Sequence, residues 1–152
     1  RKNERNHNKG RRKMNYKIVS KFIKDISFEI PSAQTFHMLE KEIAKYTLNF
    51  EIKSKPFKDN IVEVNTILKL LPAPEIKNKI LTEINLTALV SIENKNIDKK
   101  ELEKIILIKI PTEIYPQLYK MFVYLFNEAG VKNIMINKEV NFEKMYNEKN
   151  NN

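Results

Sequence analysis

Two histidines, two glycines and no cysteine leave little with which to build a reaction centre in a chain of 152 residues. A histidine-based triad or a two-histidine metal site would have to use His7 and His37, and His7 lies in a basic leading stretch outside the patterned sequence. Without a thiol there is no cysteine nucleophile, thiolate zinc site or disulfide, and a reducing cytosol suits the chain. Gly10 and Gly130 are too isolated to make a glycine-rich phosphate cradle or a dinucleotide turn. Carboxylates remain. Glu40 with Glu42, and Glu101 with Glu103, sit beside lysines, the setting of solvated charges rather than of an acid and base pair. The expectation is a protein without catalytic residues, metal or cofactor, whose work is to bind other polypeptides.

Contact chemistry is better represented, and it depends on the elements that present it. Lys21 to Ile30 alternates with period two, setting Phe22, Lys24, Ile26, Phe28 and Ile30 on one face and Ile23, Asp25, Ser27 and Glu29 on the other. Pro31 ends this strand, and Ser32 to Glu42 reads as a connecting loop. Further strands are predicted at Lys45 to Lys53, Ile61 to Leu71 and Ile76 to Ile92, with a turn at Lys55 to Asn60 and a break at Pro72 and Pro74. The same parity sets Asp25 and Glu29 with Leu81 and Glu83 on the outer face, a candidate docking patch of carboxylates around a leucine.

In the last third the period becomes helical. Leu102, Ile105 and Ile106 mark a short helix closed by Pro111, and Tyr115 to Ala129 a longer one capped at Gly130. A loop over 131–140 carries Val131, Ile134, Met135 and Ile136, and Asn141 caps a final helix with Phe142 and Tyr146. The architecture expected is α+β: a four-stranded antiparallel sheet covered by C-terminal helices. The longer helix is apolar around most of its circumference, which predicts that its outer side is covered by other copies of the chain.

The net charge of +9 is concentrated at the start, where residues 1–13 hold seven Lys or Arg against Glu4, a net +6. These residues read as a disordered basic tail ahead of a natural start at Met14, and residues 14–152 as one domain. The tail lacks the apolar stretch of a secretory signal, and no apolar run approaches the roughly 20 residues that span a bilayer. A cytoplasmic location is expected. The strands lack a basic stripe interleaved with exposed aromatics, which makes nucleic acid an unlikely partner, and an RNA-binding reading would rest on the tail.

Four colinear segments carry a resemblance: KDISFEIP (Lys24 to Pro31), ILTEI (Ile80 to Ile84), IPTEIYP (Ile110 to Pro116) and VNFEKMY (Val140 to Tyr146). Together they resemble SecB, the bacterial protein-export chaperone family, over about Phe22 to Tyr146. The resemblance implies a dimer of dimers with Tyr119, Phe122, Val123 and Phe126 of the long helix at the oligomer interface. It implies a chaperone that holds unfolded preproteins and hands them to the translocation ATPase SecA, with Asp25, Glu29, Leu81 and Glu83 at the SecA-docking positions. A preprotein groove walled by Phe36, Ile134, Met135, Ile136 and Phe142 is expected. A SecB-like chaperone of a toxin and antitoxin pair would keep the groove without needing the docking carboxylates.

Overall fold

The computed structural model describes residues 15–132 and 134–151, so the expectation for the tail over 1–13 lies outside the described residues. Alternating apolar residues fold into four antiparallel strands, β1 (Tyr16–Glu29), β2 (Tyr46–Lys58), β3 (Ile61–Pro72) and β4 (Leu81–Ile92). Their spatial order is β1-β4-β3-β2. β2, β3 and β4 follow one another directly, while β1 returns beside β4, a Greek-key arrangement that leaves β1 and β2 as edges. The inner face carries Val64 and Leu68 of β3 and Ile84, Leu86, Ala88 and Val90 of β4, all buried. Each such side chain contributes about 1.5–3 kcal/mol of burial.

Two strand boundaries differ from expectation. β2 runs past Lys53 to Lys58, because an edge strand tolerates Pro56 and the ribbon closes in a two-residue turn with Asp59 at φ 51°. β4 starts at Leu81 rather than Ile76, since Pro72 and Pro74 hold the chain off the ladder. Ile76 and Ile80 are buried in this connection instead, where the Ile80 N–H donates to the Tyr46 hydroxyl at 3.2 Å.

β1 also corrects the parity of its first half. Register shifts between Ile18 and Ser20, and between Ile23 and Asp25, mark two bulges against β4. Each bulge flips the side chains beyond it. Phe22 therefore pairs with outward Thr87, and Ile23 with inward Leu86, the reverse of strict alternation. From Asp25 onward the expected faces hold.

Ser32 to Glu42 is not a loop. Ser32, extended at φ −157°, caps α1 (Ala33–Glu42) by accepting the Thr35 N–H at 3.1 Å, and a 3₁₀ turn (Ile43–Lys45) leads into β2. α2 (Lys99–Lys104) does not end at Pro111 either. It passes through a π-helical segment (Ile105–Lys109) into α3 (Ile110–Glu128), with Pro111 in the first turn of α3. The wide π turn relieves the clash a proline ring would make with the carbonyl one turn back. α3 lies on the inner face through Leu118, Phe122 and Phe126, and Phe126 meets Phe28 edge-on at 5.0 Å. α4 (Phe142–Asn150) begins at Asn141, whose side chain accepts the Lys144 N–H at 2.9 Å.

Candidate functional site

An apolar groove forms where α1 faces the loop after α3. The end of α3 is a Schellman turn: Val131 N–H donates to the Phe126 carbonyl at 2.9 Å and Gly130 N–H to the Asn127 carbonyl at 3.1 Å. Gly130 sits at φ 91°, and a β-carbon there would come within 3.3 Å of the Phe36 ring. Glycine thus serves twice, in the left-handed turn and in the close approach of Phe36. The groove encloses about 650 Å³ and is lined from one side by Phe36, His37 and Ile43 and from the other by Val131, Ile134 and Met135. A smaller cavity of about 170 Å³ shares Ile43, Ile134 and Met135 and reaches Ile136, Leu48 and Leu70.

Exposed apolar side chains line this groove: Phe36 is 45% exposed and Met135 94%. The far end of the loop is tied to α3, because the Tyr115 hydroxyl donates to the Asn137 carbonyl. Burial, with the nearby Tyr119, pushes the Tyr115 hydroxyl up to about 12, so it stays a donor throughout neutral pH. Of the five residues expected in the groove, Phe36, Ile134 and Met135 line it and Ile136 lines the adjoining smaller cavity. Phe142 lines neither. It is 2% exposed and packs edge-on against Phe50 and Tyr115, because as the first residue of α4 it anchors that helix in the core. A loop over Ser32 to Glu42 leaves His37, Ile43 and the rest of the α1 wall out of the expected groove; the Ser32 cap and the Phe36, Leu39, Ile43 spacing are the sequence signals of the helix.

On the outer face, strand register assembles the second constellation. Glu29 pairs with Leu81, Ser27 with Glu83 and Asp25 with Asn85. Asp25, Glu29, Leu81 and Glu83 therefore share one face at one end of the sheet, adjacent members roughly 4.5–8 Å apart and the group spanning about 13 Å along the strands. The Ser27 hydroxyl donates to Asp25 at 2.9 Å. Lys69, opposite Glu83 on β3, lies 3.8 Å from Glu83 and 3.0 Å from Glu51. Hydrogen bonding to Glu51, then the charge of Glu83, holds the Lys69 ammonium above its ordinary range. Its donation, with that of Lys53, holds the Glu51 carboxyl below the usual range.

The interface residues expected on α3 divide. Phe122 and Phe126 are 1% and 0% exposed and belong to the chain's own core, because a spacing of four from Leu118 aims all three at the sheet. Tyr119 and Val123 are half-buried on the flank, and Tyr124 stands outward. Larger apolar exposure runs along the β1 edge, at Val19, Phe22, Ile23 and Ile26. Among the described residues no helix is long and apolar enough to cross a membrane, and no cluster of three His, Asp or Glu side chains could hold a metal ion.

Known proteins carry the same pattern. The family model described as preprotein translocase subunit SecB matches residues 9–152. A protein of Pelagibacter ubique (strain HTCC1062), named there as a candidate protein-export protein SecB, is 44% identical over 132 residues, covering 87% of this chain and 94% of that one. The protein-export protein SecB of Rhodospirillum rubrum is 26% identical over 132 residues, covering 85% of this chain and 78% of its own. In three dimensions the chain is similar to a Mycobacterium tuberculosis SecB-like chaperone solved with a peptide from the HigA1 antitoxin. That likeness has a TM-score of 0.64 at 13% identity and covers 83% of this chain and 88% of that one. It is a likeness of fold.

Proposed function

The chain belongs to the SecB family, and on that premise we propose that it is an ATP-independent cytoplasmic chaperone that holds unfolded preproteins and delivers them to SecA. The groove between α1 and the loop after α3 carries this reading. An unfolded chain exposes apolar side chains without fixed order, and a surface that binds it must offer apolar area that is open and adaptable. Phe36 and Ile134 supply area, and the unbranched, polarizable Met135 adapts to different clients. SecA docks on Asp25, Glu29, Leu81 and Glu83 of the outer face, where carboxylates steer a basic partner and the leucine is buried at contact.

The working form in this reading is a homotetramer, a dimer of dimers. The exposed apolar edge of β1 supports it, since an unpaired strand with this many large side chains invites pairing with a second copy. Calorimetric titration with SecA tests the delivery step. Asp25→Lys and Glu83→Lys lower SecA affinity by about tenfold or more at low salt, with a smaller loss at high salt and little loss of thermal stability, Glu83→Lys the larger because it faces Lys69. Unchanged SecA binding in both variants overturns the docking assignment and favours a SecB-like chaperone serving an antitoxin.

A further inference from the structure

Most exposed apolar residues among those described fall into groups; Phe57, beside the turn from β2 to β3, and Leu71 do not. Phe36 and Met135 belong to the groove, Val19, Phe22, Ile23 and Ile26 to the β1 edge, and Tyr124 to α3. Leu71 is 45% exposed on the outer face near the end of β3, where a wet sheet face calls for a polar side chain. Its surroundings follow from the ladder. Lys69 pairs with Glu83, so two residues further along each strand the same register, continued, sets Leu71 opposite Leu81, itself 47% exposed. Thr47 pairs with Leu71 from β2 and Glu29 with Leu81 from β1. The β3–β4 ladder itself ends at Lys69 and Glu83; continued by one more outer row, the register would run Thr47, Leu71, Leu81, Glu29, with the two leucines adjacent in the middle.

Charge completes the description of the partner. The next rows are Asn49, Lys69, Glu83, Ser27, and then Glu51, Ile67, Asn85, Asp25. Four carboxylates, those of Asp25, Glu29, Glu51 and Glu83, therefore share this end of the face with the leucine pair, against two cations, Lys69 and Lys53, which Glu51 holds at 3.0 and 3.2 Å. Farther along the same face stand Lys55 and Lys17, in the rows of Glu63 and Ser91. An acidic end with an apolar centre, on a chain of net charge +9, fits a protein surface that presents an apolar residue ringed by basic ones.

We infer that Leu71 is a second apolar anchor of the SecA contact, so that the docking surface spans β3 as well as β1 and β4. The inference rests on the SecA reading of the outer face. Two adjacent leucines bury a continuous strip where Leu81 alone would bury a point, and truncation at the centre of an interface costs far more than at its rim. Titration of SecA into the full-length protein and its Leu71→Ser, Leu81→Ser and Leu71→Met variants tests it. Leu71→Ser and Leu81→Ser each weaken SecA binding roughly tenfold, and Leu71→Met, which keeps the apolar volume, binds like wild type. Wild-type SecA affinity in Leu71→Ser alongside weakened Leu81→Ser and Asp25→Lys confines the patch to β1 and β4 and overturns the inference while the SecA reading stands. Undiminished binding in all of these variants overturns both. Unaltered binding of an unfolded preprotein by Leu71→Ser confirms that the variant is folded, and a parallel loss there means that Leu71 is structural and overturns the inference.

Discussion

The outer face is organised by single side chains, and Glu63 shows how. Its side chain is buried in the middle of that face, as are those of Asn65, Ile67 and Thr87; it accepts from the Asn65 amide at 3.0 Å and has Lys24 and Lys55 each at 3.6 Å. Donation from Asn65 first, then the two lysine charges, outweighs burial and holds its carboxyl below the ordinary value of 4.5. A carboxyl depressed in the folded state stabilises the fold above its unfolded value and loses that contribution as pH falls through the folded one. Glu63→Gln therefore melts below wild type at pH 7, and the difference closes as pH falls below about 4.5. Thermal unfolding of both proteins across pH 3–7 checks this, and a gap that stays constant with pH contradicts it. The network also pins the basic end of the outer face, where Lys24 bridges from the β1 bulge to β3. The carboxylates at the other end differ in their engagement: Glu83 is shared with Lys69, while Asp25 accepts, among the described residues, a neighbouring hydroxyl in its own strand.

At the scale of elements, β1 is the least self-sufficient part of the fold. It is paired on one side only, is twice bulged, and carries Val19, Phe22, Ile23 and Ile26 in the open. Assembly through this edge predicts that Ile23→Lys splits the oligomer while the protomer keeps its secondary structure, because a lysine on an exposed edge blocks pairing at little cost to the sheet. Light scattering at micromolar concentration checks it, and a tetramer retained in the variant rules the edge out. Phe122→Lys, by contrast, unfolds the protomer, since that position lies in its core. The contrast shows how far sequence reaches. Alternation and cap residues identify four strands, the Gly130 and Asn141 caps and the shared outer face of Asp25, Glu29, Leu81 and Glu83, because period two and cap chemistry are local. The bulges of β1 were illegible, since an extra residue leaves no trace in composition and is defined only against the partner strand. α1 was missed because one short turn-and-a-half of apolar spacing after Pro31 resembles a loop. Pro111 reads as a stop although a π turn carries the helix through it. The interface placed on Phe122 and Phe126 failed because an apolar helix can be covered by its own sheet as well as by another copy.

The whole molecule separates its two surfaces. The groove opens beside α1 and reaches inner-face residues Leu48 and Leu70, whereas Leu71, Leu81 and the carboxylates lie on the opposite side of the sheet. A client held in the groove leaves the docking face free, which is what delivery of a bound chain to a second protein requires. In the proposed reading the groove acts by apolar burial, and holding needs only that binding be faster than aggregation. The central claim is therefore tested by light scattering from a chemically unfolded preprotein diluted into buffer with the wild-type protein or with Ile134→Ser/Met135→Ser, with no nucleotide present. The account predicts that wild type suppresses aggregation without ATP near stoichiometric amounts and that the groove variant loses most of this protection while keeping its assembly and SecA affinity. Aggregation that proceeds unchecked with wild type, or protection that appears only when ATP is added, would contradict it.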